Sequence, residues 1–307
     1  MQLTSIPSFE NATGEISYNM TNDYMFRYIL QKNRKVLKGL ISSLLHLNPD
    51  DIMELEITNP IDLANDIMGK EFVLDINVMM NNNTKINLEM QVANKHNWPD
   101  CSLSYVCRSF DQLYRGHEYD EALPIIHIGF LDFTLFPSYP EFYSKHMLMN
   151  VKNHHVFSDK LNLSVVDLSK IELSTEEDKA YGIDYWARLF KAKTWEEIKM
   201  LAEKDEYMQE AAGSIYMANA DEMIRQRCLA REEYERHERT IKRDMKKLQD
   251  EKDALQNEKD ALQNEKDALQ NEKDALQNEK DALQNEKDAL QKQLNALKEE
   301  LERLKRK

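Results

Sequence analysis

The heptad Asp-Ala-Leu-Gln-Asn-Glu-Lys is written five times without change between Asp253 and Lys287. A strict seven-residue period with one apolar residue per unit admits a long helix and little else. Leu255, Leu262, Leu269, Leu276, Leu283 and Leu290 recur every seven residues, and Leu294, Leu297, Leu301 and Leu304 continue at alternating four- and three-residue steps. That continuation assigns the repeated leucine to heptad position d. Leu248, Ile241 and Tyr234 hold the same register upstream, with Met245 at position a. Inside the repeat, position a is a lysine: Lys252, Lys259, Lys266, Lys273, Lys280 and Lys287. Lysine there weakens the seam and favours a low oligomer number. Residues 231–307 therefore read as a coiled coil, about 115 Å long if wholly helical, with a homodimer as the expected assembly. A solvated single helix serving as a spacer is the alternative.

The repeat also explains the chain's charge. Of 307 residues, 31% are charged and 41% hydrophobic, with a net charge of −14. Each repeat unit adds one net negative charge. Residues 1–150 are acidic too, with 11 Lys/Arg against 19 Asp/Glu. Tight non-specific binding to nucleic acid through bulk charge is therefore not expected. Cys101, Cys107 and Cys228 are too few and too irregularly spaced for a disulfide framework or a zinc site. The first fifteen residues lack the pattern of a signal peptide, and no run approaches the 18 or so apolar residues of a membrane span. The expectation is a soluble, cytoplasmic protein with no membrane association.

Ahead of the repeat the pattern is that of an α/β chain. Residues 21–45 carry a helical apolar period, with Thr21 or Asn22 as N-cap. Residues 52–58 alternate loosely. Residues 71–80 and 84–92 read as two strands joined by Asn81-Asn82-Asn83, a hairpin turn of residues that tolerate the left-handed conformation. In the second strand Ile86, Leu88, Met90 and Val92 share one face, and Lys85, Asn87, Glu89 and Gln91 the other. Residues 103–114 read as a helix. Residues 124–133 form a nearly continuous apolar run, as in a central strand covered on both faces. Residues 147–151 and 161–168 are further strand candidates, and from about residue 175 the pattern is helical, with Trp186 and Trp195 as core. His154-His155 reads as a loop pair. The expected domains are an α/β domain over residues 1–172, a helical segment over 173–230 and the coiled coil over 231–307.

One constellation on this scaffold suggests chemistry. Glu89 and Gln91 lie two apart and point the same way, and the hairpin folds Asp75 back to face them. Two carboxylates on adjacent strands suit Mg2+, which takes one or two of them plus water and phosphate oxygens. Asp23, at the start of the first helix, is a candidate third carboxylate, or alternatively a residue that stabilises the helix N-terminus. Tyr105, Arg108 and Gln112 share one helix face and are candidates for lining the site and touching phosphate.

The segments TNDYMFRYIL, FVLDINVMM, INLEMQV and PIIHIGFLDF, with the helix bearing Tyr105, Arg108 and Gln112, resemble the PD-(D/E)XK nuclease-fold transposase family, the recombination-promoting (Rpn) nucleases. The likeness continues through LNLSVVDLSKIEL and the segment around Trp186, over roughly residues 17–245. It implies a restriction-endonuclease-like mixed sheet flanked by helices, and DNA cleavage dependent on Mg2+ or another divalent cation. It implies that Asp75 and Glu89 ligate the metal, and it sets Gln91 where the wider superfamily has a catalytic lysine. Glutamine carries no positive charge, and Lys85 lies on the same strand face. Two functions follow as expectations. One is an endonuclease acting in recombination or mobile elements. The other is a catalytically weak or inactive nuclease-fold interaction protein, oligomerised by its coiled coil.

Overall fold

The computed structural model of the protein describes residues 8–59, 75–111, 116 and 118–305. They form two compact units, residues 1–235 and residues 236–307.

The first unit is built on a mixed sheet of six strands: β1 (Leu55–Ile57), β2 (Ile76–Met80), β3 (Thr84–Gln91), β4 (Ile125–Leu131), β5 (Tyr143–Met149) and β6 (Val156–Asp167). Their spatial order is β1-β2-β3-β4-β6-β5. The β2–β3 hairpin forms in antiparallel register with Ile76 opposite Leu88 and Met80 opposite Thr84; residues 71–74 of the expected first strand lie outside the described residues. Asn81 and Asn82 both take positive φ. Asn81 does more than turn the chain, because its side-chain oxygen accepts from the Met53 and Glu54 amides and its NH2 donates to the Asp51 carbonyl. The apolar run of residues 124–133 becomes β4, parallel to both β3 and β6 and hence central.

Alternation along β3 sends Ile86, Leu88 and Met90 into the main core, where they meet α1 (Asp23–Lys32), α2 (Arg34–Leu45), α5 (Ile183–Lys191) and α7 (Glu206–Ala220). Phe26, Phe130 and Phe190 pack against one another at its centre, with ring centroids 5.3–5.6 Å apart. The opposite face of the sheet is covered by α3 (Trp98–Phe110). There Trp98 packs with Leu131 and Val165 in a smaller apolar cluster.

Several sequence expectations shift in detail. The single helix expected over residues 21–45 is two helices broken at Asn33. That residue caps both: its amide N–H bonds the Ile29 carbonyl, and its side chain accepts from the Lys35 and Val36 amides. Its NH2 also reaches Glu210 and Ser214 on α7. Asn22 is the N-cap of α1. The helix expected at residue 103 starts earlier, at Trp98, with Pro99 in its first turn, where a missing N–H costs nothing. The expected end of that helix lies outside the described residues. The helices after residue 173 share one core with the sheet, since Trp186, Leu189, Phe190 and Ile215 join the cluster that holds Phe26 and Leu88. Trp186 is buried and donates to Ser43 Oγ.

The helix α8 runs from Glu222 to Lys305. Its start belongs to the first unit, where Ile224 and Cys228 are buried. Within the second unit each repeat closes a bond from its glutamine to the aspartate four residues on, as in Gln256–Asp260 and Gln263–Asp267. Such pairs support an exposed helix by about 0.2–0.5 kcal/mol each. The d-position leucines remain open, from 65% exposed at Leu255 to 57% at Leu290. Among the described residues no helix is long and apolar enough to cross a membrane.

Candidate metal and catalytic site

The candidate site lies on the α3 side of the sheet, where β2, β3 and β4 present polar side chains. The hairpin register pairs Asn77 with Asn87 and, continued by one residue, sets Asp75 opposite Glu89. Residues so opposed share a face, with Cβ atoms about 4.5–5.5 Å apart. Asp75 is buried. Its Oδ2 accepts from Asn87 Nδ2 at 2.7 Å, and Asn87 Nδ2 also donates to Asn77 Oδ1 at 2.6 Å. Asn59 locks the backbone here, donating to the Asp75 carbonyl and accepting from the Asn77 amide. On the core side stands Arg27, fully buried, whose guanidinium bonds Gln31 and the Asn59 carbonyl. Burial pushes the Arg27 guanidinium below its ordinary value, and the Asp75 charge opposes that shift. A buried cation beside a buried carboxylate offsets the cost of both.

Glu89 occupies the next site-facing position on β3. Burial, reinforced by the neighbouring Asp75 charge, pushes its carboxyl up to about 7, against the pull of Lys95. Its strand partner on β4 is Gly129. The glycine is required because a Cβ there would run into the Trp98 indole that roofs this face. Two residues earlier on β4, and opposite Asn87, is His127. It is 0% exposed, and its Nε2 lies 3.6 Å from Glu89 Oε2. Burial pushes the imidazole down to about 4, so it is neutral at physiological pH.

Tyr105, from α3, lies parallel to the His127 ring at 6.1 Å. Its hydroxyl is pushed above its ordinary value by burial and by the charges of Asp75 and Glu89, which puts it at the site. Arg108, one turn on, is exposed and acts electrostatically on Tyr105. Gln112 lies outside the described residues.

Other expectations resolve differently. Asp23 is not brought to the carboxylate pair. Its two oxygens accept from Arg231 Nε at 2.9 and 2.7 Å, and Arg231 Nη2 completes a bidentate pair. A carboxylate locked this way to a guanidinium has little left to offer a metal, so Asp23 fastens α1 to the start of α8. Lys85 is also held away, its Nζ donating to the Ser109 carbonyl at 3.0 Å. Gln91 turns onto its own strand end, Nε2 to the Ala93 carbonyl at 3.1 Å. The lysine whose charge reaches Glu89 is Lys95, in the turn after β3. Sequence reasoning missed Lys95, Arg27 and His127. Of these, His127 carried a legible signal, a titratable residue in the middle of an apolar strand.

The donor set suits a hard divalent cation. Asn87 holds one oxygen of Asp75, and no bond among the described residues engages the other. Glu89 faces it with a carboxyl poised to lose its proton near neutrality. Among the described residues no cluster of three or more His, Cys, Asp or Glu is arranged around a metal position. A cation here would be held by the two carboxylates, with water and phosphate oxygens to complete its shell, the pattern Mg2+ prefers. Buried polar atoms without partners also crowd this face: Asn87 Oδ1, Trp98 Nε1 and both ring nitrogens of His127. Such groups call for water or a ligand.

Residues 20–245 match the model of a family described as PD-(D/E)XK nuclease family transposase. No curated protein and no solved structure matches the chain. The match spans most of the chain and every site residue above, and the mixed sheet with its flanking helices is that family's fold. The chain therefore belongs to the PD-(D/E)XK nuclease family transposases.

Proposed function

We propose that the protein is a DNA endonuclease dependent on Mg2+ or another divalent cation, with Asp75 and Glu89 as metal ligands and a role in recombination or mobile elements. The observation that carries this is Glu89: a carboxyl held near 7 by burial and by Asp75 is costly for a fold and useful for a site. A divalent cation bound there supplies Lewis acidity toward a phosphate oxygen and lowers the pKa of a coordinated water. The residues do the rest. Asn87 fixes Asp75, Trp98 and Tyr105 wall the site, and Tyr105 with exposed Arg108 faces the backbone of the DNA. Arg27 balances the Asp75 charge from behind. Loss of plasmid nicking when the metal is chelated, with return on adding Mg2+, tests this reading.

Gln91 stands where the superfamily has lysine, and its amide is spent on the Ala93 carbonyl. This favours the second reading, an inactive nuclease-fold interaction protein. Under the endonuclease reading Lys95 supplies the missing positive charge. Lys95→Met is then expected to slow cleavage by about tenfold or more, in the range of one electrostatic contact to the reacting centre. Gln91→Lys should keep or raise the rate and restore Lys95→Met. Rates over a Mg2+ titration check this; a double variant no faster than Lys95→Met alone would separate position 91 from the reacting centre.

The repeat serves homodimerisation in this account. The d-position leucines are exposed from Leu248 to Leu297, and a second copy in parallel register would cover them and bring each g-position glutamate near the partner's a-position lysine. Deleting two repeat units is expected to preserve both nicking and the dimer. Truncation after Gln249 should leave an active but more weakly associating head. Light scattering across a concentration series distinguishes the cases, and a truncated head that keeps the full assembly would make the repeat a spacer.

A further inference from the structure

His127 sits where an apolar residue would cost less. The ring is fully buried between Trp98, at 5.6 Å, and Tyr105, at 6.1 Å, and neither ring nitrogen has a hydrogen-bond partner. Each stranded nitrogen carries a desolvation cost that an apolar replacement of the same shape would not. A phenylalanine would keep the stacking and avoid that cost.

The two site carboxylates suggest what the cost is for. Asp75 has one oxygen held by the Asn87 amide, and no bond among the described residues engages the other. Glu89 has no equivalent anchor among the described residues, but its Oε2 lies 3.6 Å from His127 Nε2, a few tenths of an ångström beyond a hydrogen bond. Asn87 and His127 are register partners on β3 and β4, so the two anchors stand side by side. We propose that His127 is a positioning residue: its Nε2–H donates to Glu89 Oε2 once the metal is bound, leaving Oε1 to the cation. This rests on Asp75 and Glu89 being metal ligands. A neutral imidazole has one N–H and one acceptor nitrogen, so this donor role fixes Nδ1 as the acceptor. The sandwich of Trp98 and Tyr105 sets the ring plane and keeps His127 away from solvent. Both features suit a residue that orients a ligand rather than one that enters the coordination shell. Outer partners of this kind are worth about 10–100-fold in metal affinity.

The test is calorimetric titration of the full chain with Mn2+ at pH 8, with the thermal midpoint in chelator as a fold control. Glu89→Gln should remove binding and so locate the metal. His127→Phe should weaken Mn2+ binding about 10–100-fold without lowering the metal-free midpoint. His127→Gln, whose amide reaches the Nε2 position, should recover most of the affinity. Should His127→Phe not fold, His127→Asn carries the comparison, because its amide reaches only the Nδ1 position and should bind weakly where His127→Gln binds well. Unchanged affinity in His127→Phe, or equal losses in the variants with and without an amide at the Nε2 position, would overturn the role of His127 while leaving the metal site standing. Absence of Mn2+ binding by the wild-type chain would overturn the metal site and the role of His127 together.

Discussion

Glu89→Gln is expected to abolish metal-dependent DNA cleavage and, in metal-free protein at pH 8, to raise the thermal midpoint. The sign follows from the direction of the shift. The carboxyl rises from an ordinary 4.5 to about 7 in the fold, chiefly through burial. The stability it contributes is fully present below 4.5 and is lost as pH climbs through about 7, because the unfolded chain gives up its proton first. A shift of this size corresponds to about 3 kcal/mol. Glutamine keeps the shape and cannot ionise, so at pH 8 the variant avoids that cost, and the midpoint should rise by roughly 5–10 °C for a unit of this size. Near pH 4 the two proteins should melt together. Added divalent metal should reverse the order at pH 8 by stabilising only the wild type. Differential scanning calorimetry at both pH values, with and without metal, reads all of this. Equal melting at pH 8 would mean that Glu89 is not the strained acid described above.

Asp75→Ala is expected to end cleavage as completely, with the opposite effect on stability. Removing the carboxylate takes from the Asn87 amide one of its two acceptors and from Arg27 the charge that opposes its desolvation. Leaving a buried polar partner unpaired costs about 1–3 kcal/mol, and more for a charged group. The loss should exceed about 2 kcal/mol and show as an earlier urea midpoint. Asp75→Asn, which can still accept from Asn87, should lose cleavage and less of the stability. The contrast between a site acid that destabilises and one that stabilises follows from their surroundings: Asp75 has the Asn87 amide bonded to it and the Arg27 charge acting on it, whereas among the described residues Glu89 has no hydrogen-bond donor within bonding distance.

Much of this arrangement could be read from the residues, and the parts that could not have identifiable causes. The β2–β3 hairpin was legible because strict alternation meets an asparagine turn, and with it the convergence of Asp75 and Glu89. The central position of β4 followed from its continuous apolar run; His127 stood out in that run as a titratable residue, but nothing local in the run set it beside Glu89. The break at Asn33 was masked because helical periodicity continues across it; only the contacts from α7 fix the two-sided cap. Asp23 looked like a ligand because helix starts attract acids, and its partner Arg231 lies 208 positions away, beyond any local pattern. Lys95 belongs to a turn with no periodicity, so only the folded electrostatics connects it to Glu89. That the helices of residues 173–230 pack into the sheet's core was not legible for a related reason: amphipathic helices announce an apolar face, not the sheet that receives it.

The central claim is that Asp75 and Glu89 form a metal site that cleaves DNA. Nicking of supercoiled plasmid by the purified full chain, with Mg2+ and with chelator, beside Glu89→Gln prepared in parallel, tests it most directly. The account predicts nicking by the wild type only with metal, and none by the variant under either condition. Equal nicking by both proteins, or none by the wild type across a range of Mg2+ and Mn2+ concentrations, would contradict it and favour the nuclease-fold interaction protein.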